Sequence, residues 1–173
     1  MHLNDNWQTP SNILDAVRLI MPVISLDPAT SLDNPVHADN FCTGAPGTCG
    51  LELDWSGYQH IWVNHPYSQT TVWLRKINQT LDAGPSVQII NLAPMSLLSN
   101  VSTRRYLRHC YVVPLGRVKF DAPVALQQAR EAQGRKGNPG SPRSDVALFM
   151  YRFKWSEAAV LASRFRSKVL ELH

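Results

Sequence analysis

The chain has 173 residues, 44% of them hydrophobic and 17% charged, which suits one packed domain and excludes a disordered polyelectrolyte. No apolar run approaches the roughly 18–20 residues of a membrane span, and the opening MHLNDNWQTP has neither a basic start nor an apolar stretch, so no signal peptide is expected and a cytoplasmic location is. Charge is unevenly distributed: residues 1–100 hold three Lys and Arg against eight acids, a balance of −5, and residues 101–173 hold fourteen against five, a balance of +9, for a net of +4. A basic second half suits a polyanionic partner, because Lys and Arg neutralise phosphates and release counterions; it equally suits a solvated surface.

In chain order, Thr9 can cap a helix in which Pro10 takes the first turn and Ile13, Leu14, Val17 and Ile20 recur at helical spacing, with Pro22 as the stop. Val23 to Leu26 read as a short buried strand ending at Asp27. Residues 31–50 are rich in Asn, Asp, Pro and Gly and read mostly as loop. Ile61, Trp62 and Val63 form a second buried strand, ending at Asn64. Thr70 to Ala83 read as a helix with Val72, Trp73, Ile77 and Leu81 as its apolar positions and Gly84 as its stop.

Val87 to Leu92 are a third strand, followed by a helix over Ser102 to Arg108 and a strand at Tyr111 to Val113. Arg117 to Phe120 and Val146 to Tyr151 read as two further strands, expected to pair antiparallel. Residues 121–145 between them read as a basic loop with at most one short helix, mobile over residues 134–144. A C-terminal helix is expected from Ser156, as cap, to Leu172. Strands alternating with helices predict a single α/β domain over residues 1–173, Rossmann-like, with a mostly parallel sheet, helices on both faces and an antiparallel closing hairpin.

Cys42, Cys49 and Cys110 are an odd set without a CxxC pair, so reduced thiols are expected. His37 lies just upstream of the first two, but the spacing matches no common zinc site and no metal is expected. Trp55 and Trp62 read as core.

In open α/β sheets, ligands bind at the carboxyl ends of the strands. Two strands here end in polar tetrads, Asp27-Pro28-Ala29-Thr30 and Asn64-His65-Pro66-Tyr67. The second can present the Asn64 side-chain oxygen and the His65 carbonyl together, two acceptors for the two N–H groups of a planar amino group. Pro66 restrains the carbonyl before it, and Tyr67 offers a flat face for an aromatic ring. An Asn before a proline turn is also an ordinary structural stop.

The ordered motifs resemble those of the phage-type DNA N6-adenine methyltransferases, the Dam-like family. Trp7-Gln8-Thr9-Pro10 resembles the family's W-x-T-P, Leu26 to Thr30 its L-D-P-A-A, and Gly50-Leu51 through Asp54-Trp55 its G-L…W stretch. Trp62 to Ser68 resembles its W-x-N-P-P-Y-S, Trp73 the tryptophan after it, and Gly116 to Phe120 its G-R-[IV]-x-F; Ser144 to Phe149 resembles the strand after its mobile loop. The resemblance implies transfer of a methyl group from S-adenosylmethionine to the exocyclic amino group of adenine, flipped from duplex DNA onto Asn64, His65, Pro66 and Tyr67. It implies a cofactor set of Trp7, Thr9, Pro10, Asp27, Pro28, Ala29 and Asn64. Asp54 either joins that set, accepting from the cofactor's adenine, or caps a turn. No metal is required.

Arg104, Arg105, Arg117, Arg135, Lys136 and Arg143 are the candidate phosphate contacts. If the gene is carried by a phage or prophage, the implied location is the bacterial cytoplasm. Two departures stand out: His65 replaces the family's proline, placing a titratable ring by the expected base pocket, and the stretch after Leu92 lacks an expected tryptophan. The first leaves open a catalytically impaired DNA-binding relative, or an enzyme for another planar amine or amide; a plain α/β binding module would leave the motifs unexplained.

Overall fold

The computed structural model describes residues 7–44, 49–122, 124–134 and 144–173. They form a seven-stranded sheet in the order β2-β1-β3-β4-β6-β5-β7. The strands are β1 (Leu26–Asp27), β2 (Asn40–Phe41), β3 (His60–Val63), β4 (Gln88–Pro94), β5 (Cys110–Arg117), β6 (Asp145–Tyr151) and β7 (Leu170–Leu172). Five helices accompany them: α1 (Ser11–Val17), α2 (Thr70–Ala83), α3 (Val101–Arg104), α4 (Val124–Ala132) and α5 (Trp155–Arg164).

Side-chain alternation along the strands builds a core on each face. On one face Trp62, Ile90, Leu92, Val113 and Leu148 pack with Ile13, Leu14 and Val17 of α1 and Ala158 and Leu161 of α5. On the other, Ile61, Val63, Ile89, Val112 and Phe149 pack with Trp73, Leu74 and Ile77 of α2. Both tryptophans expected in the core, Trp55 and Trp62, are fully buried.

Helices thus cover both faces, as expected, but the sheet is mixed rather than mostly parallel. β1–β2, β1–β3 and β3–β4 pair parallel, whereas β4–β6, β5–β6 and β5–β7 pair antiparallel. Strand β6 inserts between β4 and β5, so those two still point the same way as β1–β3. The carboxyl ends of the first five strands therefore share one edge.

Several boundaries differ from the sequence reading. The first strand is only Leu26–Asp27, and the loop after it contains the edge strand β2. The strand expected at 111–113 is longer, β5 running from Cys110 to Arg117 past an irregularity between Pro114 and Gly116, the latter at φ 68°. The separate strand expected over 117–120 does not form: residues 118–120 lie beyond the end of β5. The helix expected at Ser102–Arg108 is the single turn α3, capped by the Asn100 side chain and followed by His109 at φ 52°.

The C-terminal helix stops at Arg164 rather than Leu172. Arg166 turns the chain at φ 52°, and Leu170 to Leu172 pair with β5 instead. Its cap is not Ser156: Lys154 takes that position, its backbone N–H donating to Glu157 at 2.6 Å. Nor does Thr9 cap α1; Pro10 flanks it without a side-chain bond, because the Thr9 hydroxyl accepts from the distant Asn64 amide at 3.3 Å. Helix α2 runs over Thr70–Ala83, as the apolar spacing predicts. Among the described residues, no helix is long and apolar enough to cross a membrane.

Candidate active site

The parallel pairing of β1 with β3 brings the two polar tetrads side by side at the shared edge. Between them lies a cleft. Trp7, Gln8 and Thr9 of the N-terminal segment form one wall, Asp27, Ala29 and Thr30 another. Ser31, Pro35 and Val36 of the following loop and Trp62, Asn64 and Pro66 of the β3 end complete it. The N-terminal wall is tied down by a two-way backbone pairing of Gln8 with Asp121, at 2.9 and 3.0 Å. The loop wall is held by the Arg18 guanidinium, which donates to the Val36 carbonyl at 2.9 Å.

Among the described residues, Asp27 is the one carboxylate in this lining, and it is 1% exposed. One oxygen accepts from the Ala29 N–H at 3.1 Å, and the Thr30 side chain also bonds to it. These bonds shape the tetrad, but burial outweighs them and pushes the carboxyl up to about 7. A buried carboxylate short of counter-charge at a cleft wall fits a cationic, hydrogen-bond-donating ligand.

Asn64 is oriented by its neighbours. Its Nδ2 donates to the Trp7 carbonyl at 3.0 Å and to the Thr9 hydroxyl at 3.3 Å. A carbonyl oxygen only accepts, so the amide can face Trp7 one way only. The NH₂ group is thereby committed to the protein, and Oδ1 is the acceptor left for a ligand. The N-terminal W-x-T-P stretch thus orients the side chain that ends β3.

After Asn64 the chain turns through Pro66 into a 3₁₀ turn, Tyr67–Gln69, and directly into α2. The Pro66 carbonyl accepts from Gln69 N–H at 3.0 Å, and the Thr70 hydroxyl donates to the Tyr67 carbonyl at 2.8 Å. Tyr67 is half-buried; its hydroxyl is enclosed without a partner, and burial raises its pKa well above that of a free phenol. The His65 ring does not join the cleft lining. It is buried, stacked on Trp73 of α2, and its pKa is driven down to about 4 by desolvation, so it is neutral at physiological pH.

The loop behind the first tetrad has its own constraint. A Cβ on Gly50 would lie 1.9 Å from the Pro28 carbonyl oxygen, so only glycine allows this approach. The Trp55 indole donates to the Gly50 carbonyl at 2.7 Å and holds the loop there. The glycine and tryptophan of this stretch thus buttress the Asp27 tetrad from behind.

Of the cofactor set implied by the sequence, Trp7, Thr9, Asp27, Ala29 and Asn64 line the cleft, whereas Pro10, Pro28 and Asp54 do not. Asp54 is exposed and engages both oxygens within its own turn, accepting from Ser56 N–H at 2.9 Å and the Ser56 hydroxyl at 3.0 Å, bonds that hold its pKa below the ordinary carboxylate value. Gln8, Thr30, Ser31, Pro35, Val36 and Trp62 are cleft residues that sequence reasoning missed. Asn91 is another surprise, fully buried in β4 with neither amide atom partnered; its signal was an Asn within the apolar run IINLAP.

The basic candidates are dispersed. Arg117, at the carboxyl end of β5, shares the edge with Asn64; it is exposed and only loosely paired with Asp145, at 4.0 Å. Arg104 is exposed at the end of α3. Arg105 lies over the Tyr106 ring, 4.9 Å from its centroid, and lines a groove with Tyr151 and Arg152 at the opposite edge of the sheet. Arg135, Lys136 and Arg143 lie outside the described residues. Among the described residues, no group of three or more His, Cys, Asp and Glu could hold a metal ion.

Fold and site together define an α/β protein whose ligand cleft and polar loops sit at the carboxyl edge of a mixed sheet. The chain belongs to the DNA N-6-adenine-methyltransferase (Dam) family, whose model matches residues 1–170. Comparison with curated proteins and with solved structures finds no match.

Proposed function

We propose that this chain, acting as a single domain, transfers a methyl group from S-adenosylmethionine to the exocyclic amino group of an adenine flipped out of DNA, within a specific sequence. The observation that carries this reading is the locked Asn64 amide, whose NH₂ is committed to Trp7 and Thr9 and whose Oδ1 remains as an acceptor beside the cleft. Adenine's amino nitrogen is a poor nucleophile because its lone pair is delocalised into the ring. Two acceptors that draw its N–H bonds out of the ring plane localise that pair. The Asn64 oxygen and the His65 carbonyl are suited to this work, and the Tyr67 ring is suited to support the base. Backbone and side chain are pre-set by the Pro66 turn and by Trp7, so little reorganisation is needed at the moment of reaction.

The cofactor supplies an activated methyl group on a sulfonium centre. The cleft's chemistry fits it: Asp27 would face its positive charge, and Pro35, Val36 and Pro66 offer an apolar lining for its adenosyl portion. Arg117 and the basic residues Arg104, Arg135, Lys136 and Arg143 are the phosphate contacts in this reading, with base readout left to short loops. Asn64→Ala and Tyr67→Ala test it: each should cut methylation of adenine-containing DNA at least tenfold. Full activity in both variants would remove the base from this loop.

A further inference from the structure

Taking the Asn64–Tyr67 loop as the element that holds the base, we propose that the His65 imidazole is a positioning residue, a flat wedge between Trp73 and Tyr67 that holds the loop's acceptor carbonyl and its aromatic face in register. The family pattern places proline here, which restricts the backbone covalently. Histidine has no such restriction, and the structure replaces it with packing on three sides.

The ring lies face to face with Trp73 of α2, centroids 6.0 Å apart and planes 10° from parallel. It meets Tyr67 edge-on, at 5.9 Å and 75°. Its Nδ1 lies 3.1 Å from the Pro66 carbonyl. A carbonyl can only accept, so Nδ1 carries the proton, and the same carbonyl also takes the Gln69 N–H that opens the turn into α2. The wedge thus joins the residue whose carbonyl is used, the turn after it and the helix behind it. Burial keeps the ring neutral, so it provides shape and one hydrogen bond rather than charge.

The stack continues beyond the loop. Trp73 is tilted against Trp55, 6.1 Å away at 32°, and Trp55 holds Gly50 behind Pro28. The wedge therefore seats the base-holding loop on the same framework that supports the Asp27 tetrad. Nε2 of His65 is enclosed without a partner, so the ring is seated by its shape and by the one bond from Nδ1.

The test separates flatness from bulk. His65→Phe keeps a planar ring and removes the orphaned nitrogen; His65→Leu fills the space without a flat face. His65→Phe is expected to keep kcat for methyl transfer to adenine-containing DNA within threefold of the wild type, and His65→Leu to lose at least tenfold. Calorimetric affinity for S-adenosylmethionine should stay within twofold in both, and both should melt within a few degrees of the wild type. Trp73→Leu, which removes the other half of the stack, should lower kcat like His65→Leu, and combining the two should cost little more than either alone. Equal kcat in the Phe and Leu variants, or fully additive losses with Trp73→Leu, would overturn the wedge. A wild-type enzyme that transfers no methyl group to adenine would overturn the function instead, so the two failures are distinguishable.

Discussion

Replacing Asp27 with Asn keeps the size and the acceptor for the Ala29 N–H but removes a carboxylate that the fold holds against its preference. Burial moves this group from an ordinary 3.8 to about 7. Each tenfold change in proton affinity corresponds to about 1.4 kcal/mol, so the ionised form is disfavoured in the folded chain by on the order of 4 kcal/mol. Between the two values the folded protein holds a proton that the unfolded chain has released. Stability therefore falls as pH rises through that window and levels off above about 7. His65 acts in the opposite sense: its depressed pKa, about 4 against an ordinary 6.5, lets the unfolded chain bind the extra proton, so its contribution grows as pH rises from 4 to 6.5.

The difference between wild type and Asp27→Asn isolates the carboxylate. In urea melts without ligand, the variant should gain on the wild type by about 2–3 kcal/mol between pH 5 and pH 8. It should also bind S-adenosylmethionine at least tenfold more weakly in calorimetry, trading function for stability. A stability difference that does not vary with pH would mean that Asp27 is not held against ionisation, and unchanged cofactor affinity would mean that its carboxylate does not meet the cofactor.

Gly50→Ala should destabilise the chain by roughly 2–3 kcal/mol and weaken cofactor binding, because the added carbon meets the Pro28 carbonyl at 1.9 Å and the tetrad in front must shift; an unchanged melt and affinity would contradict this. Thr9→Val removes one of the two acceptors that orient Asn64 and should lower methylation severalfold, with a smaller effect on stability, since the Trp7 carbonyl at 3.0 Å still receives the amide. Replacing Arg135, Lys136 and Arg143 together with Ala should flatten the log–log salt dependence of DNA affinity by about 2 to 3, without altering cofactor binding. An unchanged slope would mean these residues meet no phosphate.

The central helix and both polar strand ends were legible because their signals are local. The apolar spacing of Trp73 and Ile77 with Gly84 behind them marks α2, and the tetrads beginning at Asp27 and Asn64 follow short apolar runs. What escaped was long-range. Nothing near Leu170 signals that it will pair with Val112, and the pattern over Ser156 to Leu172 suits a helix until Arg166 turns the chain. The Thr9 hydroxyl looks like a cap until the fold delivers an amide from 55 residues away. His65 was visible as a departure from the family pattern, but its ring's direction was not: a stack on Trp73 depends on how α2 packs beneath the loop, not on the tetrad itself.

Adenine methylation is tested most directly by methyl transfer from labelled S-adenosylmethionine to unmethylated DNA, followed by nucleoside analysis of the product. Label is expected in N6-methyladenine and should fall at least tenfold in Asn64→Ala; label in cytosine or in protein, or none in DNA under conditions where the cofactor is bound, would contradict adenine methylation.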